Sequence, residues 1–255
     1  MKSAGNSQKR RPYRVGSVAS EGSSGMHGTA LHLFRGLAGS YDEVVDCATL
    51  FQDRRWKNWA AMKARVREGG LVLDLGCGTL ILEERLRGLG WRFVGLDLTE
   101  EMVRIGKTKG LPSVCVLING DAENLPFPDQ TFDAVISCYV PKYVCTARLA
   151  DELARISKPG AAVVLYDFAK PQGFFAPFLR LYIDGGLRMA GYLLRHGRQG
   201  AAFTFDTLPG IIDRTAWDRE ITGAMERRGF DTVEARKLTG GAVFGYFGRR
   251  RRGPS

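Results

Sequence analysis

The sequence holds 255 residues, 44% hydrophobic and 25% charged, with a formal net charge of +10. A chain of this length buries a large core without disulfide or metal staples, and an α/β sheet protein of the size is commonly one domain. Its five cysteines form no CxxC pair and no Cys/His cluster, so they read as reduced thiols and no metal is expected.

From the amino terminus, residues 1–28 read as a disordered basic tail: Lys2, Lys9, Arg10, Arg11 and Arg14 stand against Glu21, with no apolar core of a secretory signal. Arg249 to Arg252 make a second basic tail over 249–255, and the body between is close to neutral. Basic tails without a basic body face argue against a nucleic-acid partner. They leave loose contact with anionic lipid as the functional alternative to plain solvation. No run approaches the roughly 18 uncharged apolar residues of a membrane span. The expected location is cytoplasmic, peripheral at the membrane at most.

Helical spacing begins at Leu31, Phe34, Leu37 and Ala38, and a second amphipathic helix is predicted over 53–66. Strand and helix then alternate: strands over 71–75, 91–96, 113–118, 132–138 and 161–167, helices over 81–89, 100–109 and 147–156. A Lys158-Pro159-Gly160 turn ends the last of these helices. Apolar strands alternating with helices indicate a parallel sheet covered on both faces. Residues 171–210 interrupt the rhythm with Phe174, Phe175, Phe178 and Tyr182. A helix over 217–228 follows, then strands over 232–236 and 242–247 joined at Gly240-Gly241, an antiparallel hairpin at the sheet edge.

Three elements at successive strand ends converge. Asp74-Leu75-Gly76-Cys77-Gly78-Thr79 puts glycines where a loop turns tightly beside a ligand, at the carboxyl end of a strand. Asp97 ends the next strand, where a carboxylate accepts ribose hydroxyls. Gly120-Asp121-Ala122-Glu123 follows the third, within reach of an adenine amino group.

With these motifs the chain resembles the class I S-adenosylmethionine-dependent methyltransferases. Over residues 34–248 it is more narrowly similar to the ubiquinone/menaquinone-biosynthesis C-methyltransferases. The matching stretches are Ala38-Gly39-Ser40-Tyr41-Asp42, Asp53-Arg54-Arg55-Trp56, Leu125-Pro126-Phe127-Pro128-Asp129, Ser157-Lys158-Pro159-Gly160, Asp167 to Pro171, and Leu238-Thr239-Gly240-Gly241. The first and last are more specific to the narrower family, and the middle ones are shared by many methyltransferases. The resemblance implies an α/β, Rossmann-like class I methyltransferase fold, with a seven-stranded mostly parallel sheet and an antiparallel edge hairpin. One domain over 29–248 would carry a helical lid (29–68) and an apolar insertion (171–210). The implied cofactor is S-adenosyl-L-methionine, contacted by Asp74, Gly76, Cys77, Gly78, Thr79, Asp97, Leu98, Met102, Asp121, Ala122 and Ser137.

Two departures bear on the acceptor. Leu80 replaces the third glycine of the loop, and Cys138-Tyr139-Val140-Pro141-Lys142-Tyr143 replaces the family's Phe-Gly-Leu-Arg-Asn segment. Tyr41 on the lid and Lys142 are the candidate catalytic residues, Lys142 as a charge stabilising a phenolate. Asp167 orients a loop or serves the site, and His196 reads as exposed. The aromatic stretch over 171–194 lines a tunnel or faces a bilayer for a small or lipid-like acceptor; its alternative is a packing or homodimer surface. C-methylation of a demethylmenaquinol-like prenylated hydroquinone is the leading expectation. Methylation of oxygen or nitrogen on another acceptor, and a non-catalytic cofactor-binding protein, stay open beside it.

Overall fold

A computed structural model describes residues 21–194 and 199–253 of the chain. Residues 1–20, 254 and 255, and His196, lie outside the described residues.

The strands form where apolar runs are short and bounded by turns. They are β1 (Leu71–Leu75), β2 (Arg92–Asp97), β3 (Val114–Asn119), β4 (Phe132–Cys138), β5 (Ser157–Phe168), β6 (Phe230–Leu238) and β7 (Val243–Arg250). They make one sheet in the order β3-β2-β1-β4-β5-β7-β6. β1 to β5 pair in parallel, and β7 runs antiparallel to both β5 and β6. β6, at the edge, alternates buried and exposed positions, and its outward side chains include Arg236 and Lys237.

Period-two alternation sorts the strand residues onto two faces. Leu73, Leu75, Val135 and Val163 pack with Leu149 and Leu153 of α6 (Thr146–Ile156) and Ile221 and Met225 of α10 (Trp217–Arg227). Val72, Ile136 and Val164 pack on the other face with Trp56 and Trp59 of α3 (Asp53–Ala64) and Leu82 of α4 (Ile81–Leu86). α5 (Glu100–Thr108) covers β2 and β3.

A helical cap stands over the carboxyl ends of the strands. It comprises α1 (Glu21–Leu37), α2 (Tyr41–Ala48), α7 (Ala176–Arg180), a π-helical turn (Leu181–Gly186), α8 (Leu187–Leu194) and α9 (Gln199–Arg214). Leu37, Val44, Ile183, Leu187, Phe205 and Leu208 form its own buried cluster. Residues 171–210 are thus joined to the amino-terminal helices in one lid.

Three boundaries differ from the sequence reading. α1 begins at Glu21, so residues 21–28 belong to a helix rather than to the basic tail. The carboxyl-terminal arginines are not a free tail either. β7 lies between two strands, and its ladder carries Arg249 opposite Ala162 and Arg250 opposite Phe230. The Arg250 guanidinium lies 5.5 Å from the Phe230 ring centroid, and Arg251 Nε donates to Asp231 at 2.7 Å. Lys158-Pro159-Gly160 starts β5 instead of forming a separate turn: the register with β4 shifts between Phe132 and Ala134, a bulge that absorbs these residues.

α1 and α9 cross with their backbones in contact at Gly36 and Gly200. A Cβ on Gly200 would sit 1.8 Å from the Gly36 carbonyl oxygen, inside its van der Waals shell. Gly200→Ala should therefore force the cap helices apart and cost about 1–3 kcal/mol of stability, read as a lower midpoint in urea with an unchanged slope.

Candidate active site

The order reverses at β1, which has β2 on one side and β4 on the other. An open α/β sheet leaves a crevice at such a point, outside the strand carboxyl ends. The loop after β1 enters it tightly: the amides of Gly76 and Cys77 both donate to the Leu96 carbonyl, at 2.7 and 3.1 Å. Gly76 has φ +80°, and a Cβ there would stand 2.1 Å from Val140 Cγ2, so the position takes only glycine. The Gly78 amide donates to Asp97 Oδ2 at 2.9 Å, and the Thr99 amide to Asp97 Oδ1 at 2.8 Å. Each carboxylate oxygen is held by one backbone donor and keeps a lone pair for a ligand. Burial raises the Asp97 pKa, against the lowering pull of those two amides.

A cavity opens there. Gly76, Gly78, Asp97, Leu98 and Met102 line it on the β1–β2 side, Asp121 and Ala122 at the β3 end, and Tyr41, Cys138 and Tyr139 opposite. Of the residues the family resemblance assigns to the cofactor, the structure brings these seven to the wall: Gly76, Gly78, Asp97, Leu98, Met102, Asp121 and Ala122.

Asp74, Cys77, Thr79 and Ser137 are not at that wall. Asp74 points to the α4 face of β1, where its carboxyl is hydrogen-bonded to that of Glu83; both residues are almost wholly buried. Neither Asp74 Oδ1 nor either Glu83 oxygen finds a donor among the described residues, and burial beside another carboxyl favours the protonated forms. Cys77 is buried beneath the loop. Thr79 donates its hydroxyl to Asp42 Oδ1 on α2, and Ser137 donates to the Leu75 carbonyl at 2.7 Å.

Tyr41 does reach the cavity. Its ring lies over Gly78, and Asp42 beside it accepts from Thr79 and from Lys109 Nζ at 3.0 Å, fastening the cap to the glycine loop. Burial raises the Tyr41 pKa well above its ordinary value, so its hydroxyl stays protonated and cannot serve as a base near neutrality.

Lys142 faces away from the first cavity. Its ammonium donates to Asp167 Oδ1 at 2.7 Å and to the Tyr139 carbonyl at 2.8 Å, and lies 4.2 Å from the Tyr143 ring centroid. Asp167 also accepts from the amides of Lys142 and Phe168. The charge expected for an acceptor is committed to a buried ion pair.

A second cavity, nearly all apolar, adjoins the first. Phe34, Tyr41, Tyr139 and Tyr143 line both. Leu37, Val44, Phe168 and Leu208 close the far side, with Lys142 in its wall. Of two further residues here, one escaped the sequence reading and the other stood in its departing segment without a role. His27 of α1 lines the first cavity with Nε2 buried, 3.6 Å from Asp121 Oδ1, and no periodicity in its segment signals it. Tyr139, at φ +67°, donates its hydroxyl to Asp53 Oδ1 at 2.7 Å. Asp53 is held in turn by Lys57 Nζ at 2.5 Å.

Two predictions concern these buried charges. Burial is the main cause raising both members of the Asp74–Glu83 pair, Asp74 from 3.8 to about 7. The folded state keeps protons that the unfolded chain releases in acid, so their stabilisation is complete at low pH and lost as pH rises through about 7. Melting temperature should fall across that interval, and Asp74→Asn should flatten the fall. Lys142→Met would leave the Asp167 carboxylate buried without its cation, which costs about 3–5 kcal/mol. Denaturant titration should show this loss, partly restored in Lys142→Met/Asp167→Asn.

Comparison with known proteins agrees with this geometry. Residues 73–165 match a family described as a methyltransferase domain. A demethylmenaquinone methyltransferase of Tropheryma whipplei (strain Twist) is 31% identical over 215 residues, 83% of this chain and 87% of that one. That of Mycolicibacterium paratuberculosis is 30% identical over 213 residues, 83% and 89% of the two chains. Among solved structures, a SAM dependent methyltransferase from Aquifex aeolicus overlays 76% of this chain and 88% of its own, at TM-score 0.53 and 19% identity. A geranyl diphosphate C-methyltransferase from Streptomyces coelicolor, solved with S-adenosyl-L-homocysteine, overlays 78% and 79% at TM-score 0.56 and 14% identity. These two share the fold. The length and identity of the sequence matches go further: the chain is a methyltransferase and belongs to the family that includes the demethylmenaquinone methyltransferases.

Proposed function

We propose that this enzyme transfers a methyl group from S-adenosylmethionine to a ring carbon of a prenylated hydroquinone of the demethylmenaquinol type. The observation that carries the reading is the pair of adjoining cavities, a polar-ended one at Asp97 and Asp121 and an apolar one behind Tyr41 and Tyr139. The first fits the cofactor: Asp97 would take the ribose hydroxyls and Asp121 the adenine edge, with Tyr41 beside Gly78 at the opposite end. When bound, the cofactor supplies an electrophilic sulfonium methyl. The names of the sequence relatives support the acceptor class.

The protein's remaining tasks are alignment, exclusion of water and removal of a phenolic proton. The second cavity is walled by aromatic and aliphatic side chains and brings no carboxylate to its surface. We take Tyr139, which lines both cavities, as the group that acts. Its oxygen can accept the acceptor's hydroxyl proton while its own proton passes to Asp53, whose resulting neutral form stays hydrogen-bonded within the Lys57 and Tyr166 cluster. Burial raises the Tyr139 pKa well above its ordinary value, so the two transfers occur together and no free tyrosinate forms.

Methylation of oxygen or nitrogen is the second reading. It is favoured by the ion-paired state of Lys142, which commits to Asp167 the cation standing in the acceptor wall where the family has an arginine. Purified enzyme given S-adenosylmethionine with a labelled methyl and a reduced demethylmenaquinone decides between them. Fragmentation of the product by mass spectrometry should place the label on the ring; label on oxygen supports the second reading, and no product overturns both.

Asp97→Ala should weaken S-adenosylmethionine binding by about 2–4 kcal/mol through loss of charge-assisted hydrogen bonds; calorimetry on the folded variant measures it. Tyr139→Phe keeps the ring and removes the relay. Turnover should fall by about 10²-fold with cofactor affinity unchanged, whereas a purely structural tyrosine would leave turnover near wild type.

A further inference from the structure

We infer that the outer face of the cap is a bilayer-docking surface that inserts aromatic side chains between anionic lipid headgroups. Phe174, Phe178 and Leu181 of the α7 region are 91%, 72% and 69% exposed, and Leu50 and Phe51 are 59% and 61% exposed. Single exposed apolar residues are ordinary, but these belong to one surface. Leu50, Phe175, Phe178 and Leu179 line a common groove with Trp56 and Leu238. Tyr182 binds the two pieces together, its hydroxyl donating to the Ala48 carbonyl at 3.2 Å just before the Leu50-Phe51 turn.

That turn is built to display its side chains. Leu50 and Phe51 take φ +48° and +59°, left-handed conformations that cost non-glycine residues strain. Backbone bonds from Leu50 N to Cys47 O and from Phe51 N to Asp46 O hold the turn while both side chains face solvent. A turn needed only to link α2 to α3 would be met more cheaply by glycine.

Charge identifies the occupant. Arg55 and Arg236 line the same groove, and Arg54, Arg180 and Lys237 are exposed on the elements that carry it. No carboxylate lines the groove among the described residues; on the elements around it Asp46 lies 3.6 Å from Arg54, Glu234 pairs with Arg236, and Glu43, Asp184 and Asp231 are exposed. A second copy docking on this face about a two-fold axis would set basic rim against basic rim. An anionic bilayer meets both features, with apolar side chains reaching the acyl boundary and arginines the headgroups. No helix among the described residues is long and apolar enough to cross a membrane, which leaves contact from one side.

The surface backs onto the catalytic cavities. Trp56 lines the groove, and its ring stands 6.5 Å from Tyr139 and 6.2 Å from Phe168, centroid to centroid. One aromatic layer separates the outer groove from the second cavity. Delivery of a lipid acceptor along this route rests on the proposed substrate; the bilayer contact does not.

The test uses the full-length chain with vesicles of phosphatidylcholine alone or mixed with phosphatidylglycerol. Wild-type protein should co-sediment with the anionic vesicles. Phe174→Ser/Phe178→Ser should lower the partition coefficient about tenfold or more, and Arg55→Gln/Arg180→Gln should lower the preference for phosphatidylglycerol. The variants keep the same amino-terminal lysines and arginines, so the differences report this surface. Phe174→Trp should be quenched by brominated lipid. Unchanged partitioning, or a tryptophan that brominated lipid does not reach, overturns the proposal. So does light scattering that shows a dimer dispersed by the serine variants, which would assign the face to a second copy. Loss of vesicle binding in the variants of a protein that methylates no quinol would leave the surface standing and remove the acceptor reading.

Discussion

The Gly78 amide donating to Asp97 joins the loop after β1 to the end of β2, and the geometry of the site depends on that bond. It draws the glycine loop across the switch point while Gly76 is pressed against Val140 from the β4 side. Three strand ends are thereby fixed relative to one another before any cofactor arrives, as a preorganised site requires. Asp97 also gains orientation: one backbone donor holds each oxygen, and the residue lines the cavity. Tyr41 and Asp42 then close over the same loop, so the lid registers on the bond that shapes the floor.

The strand ends were legible in the sequence because the buried central strands are continuous apolar runs; β1 and β4 begin and end at the residues their composition indicates. The direction of each side chain was harder to read. Asp74 and Leu75 are neighbours, yet alternation sends Leu75 to the α6 face and Asp74 to α4 and Glu83. A strand-end motif gives proximity to the crevice but not the face, which is why Asp74 and Ser137 lie behind the wall. The ends of β5 and β7 were missed for another reason. A bulge and a pairing with strands on both sides are decided by partners distant in sequence, and a run of arginines does not look like a strand until those partners are present. His27 has no local signal at all, since α1 reaches the cavity through its packing on α9, on α5 and on Tyr143, all distant in sequence.

Both departures from the family pattern fall on left-handed backbone. Leu80 has φ +68° and Tyr139 +67°, where glycine would cost nothing. Strain of this kind is worth roughly 1–3 kcal/mol per residue, and each side chain offsets it differently. Leu80 is buried against Gly106 of α5, so the substitution fills space beneath the loop and leaves the cofactor wall unchanged. That removes the motive for a non-catalytic reading based on the missing glycine. Tyr139 instead stacks on Phe168 at 5.5 Å, gives its hydroxyl to Asp53 and forms part of both cavities. Its strain is stored where the acceptor would meet the cofactor.

The way the cap is held bears on how that meeting occurs. Arg35 to Glu101 and Lys109 to Asp42 are partly exposed ion pairs, each contributing about 0–1 kcal/mol and weakening with salt. The apolar cluster around Leu37, Val44 and Phe205 holds the cap helices to one another. Apolar contacts seat the cap on the sheet as well: Val45 of α2 packs with Trp56 and Tyr139, and Ala30 and Leu33 of α1 pack with Tyr143. The apolar cavity is enclosed partly by the cap itself, at Leu37, Val44 and Leu208. The Tyr41 and Tyr139 rings stand at the boundary between the two cavities.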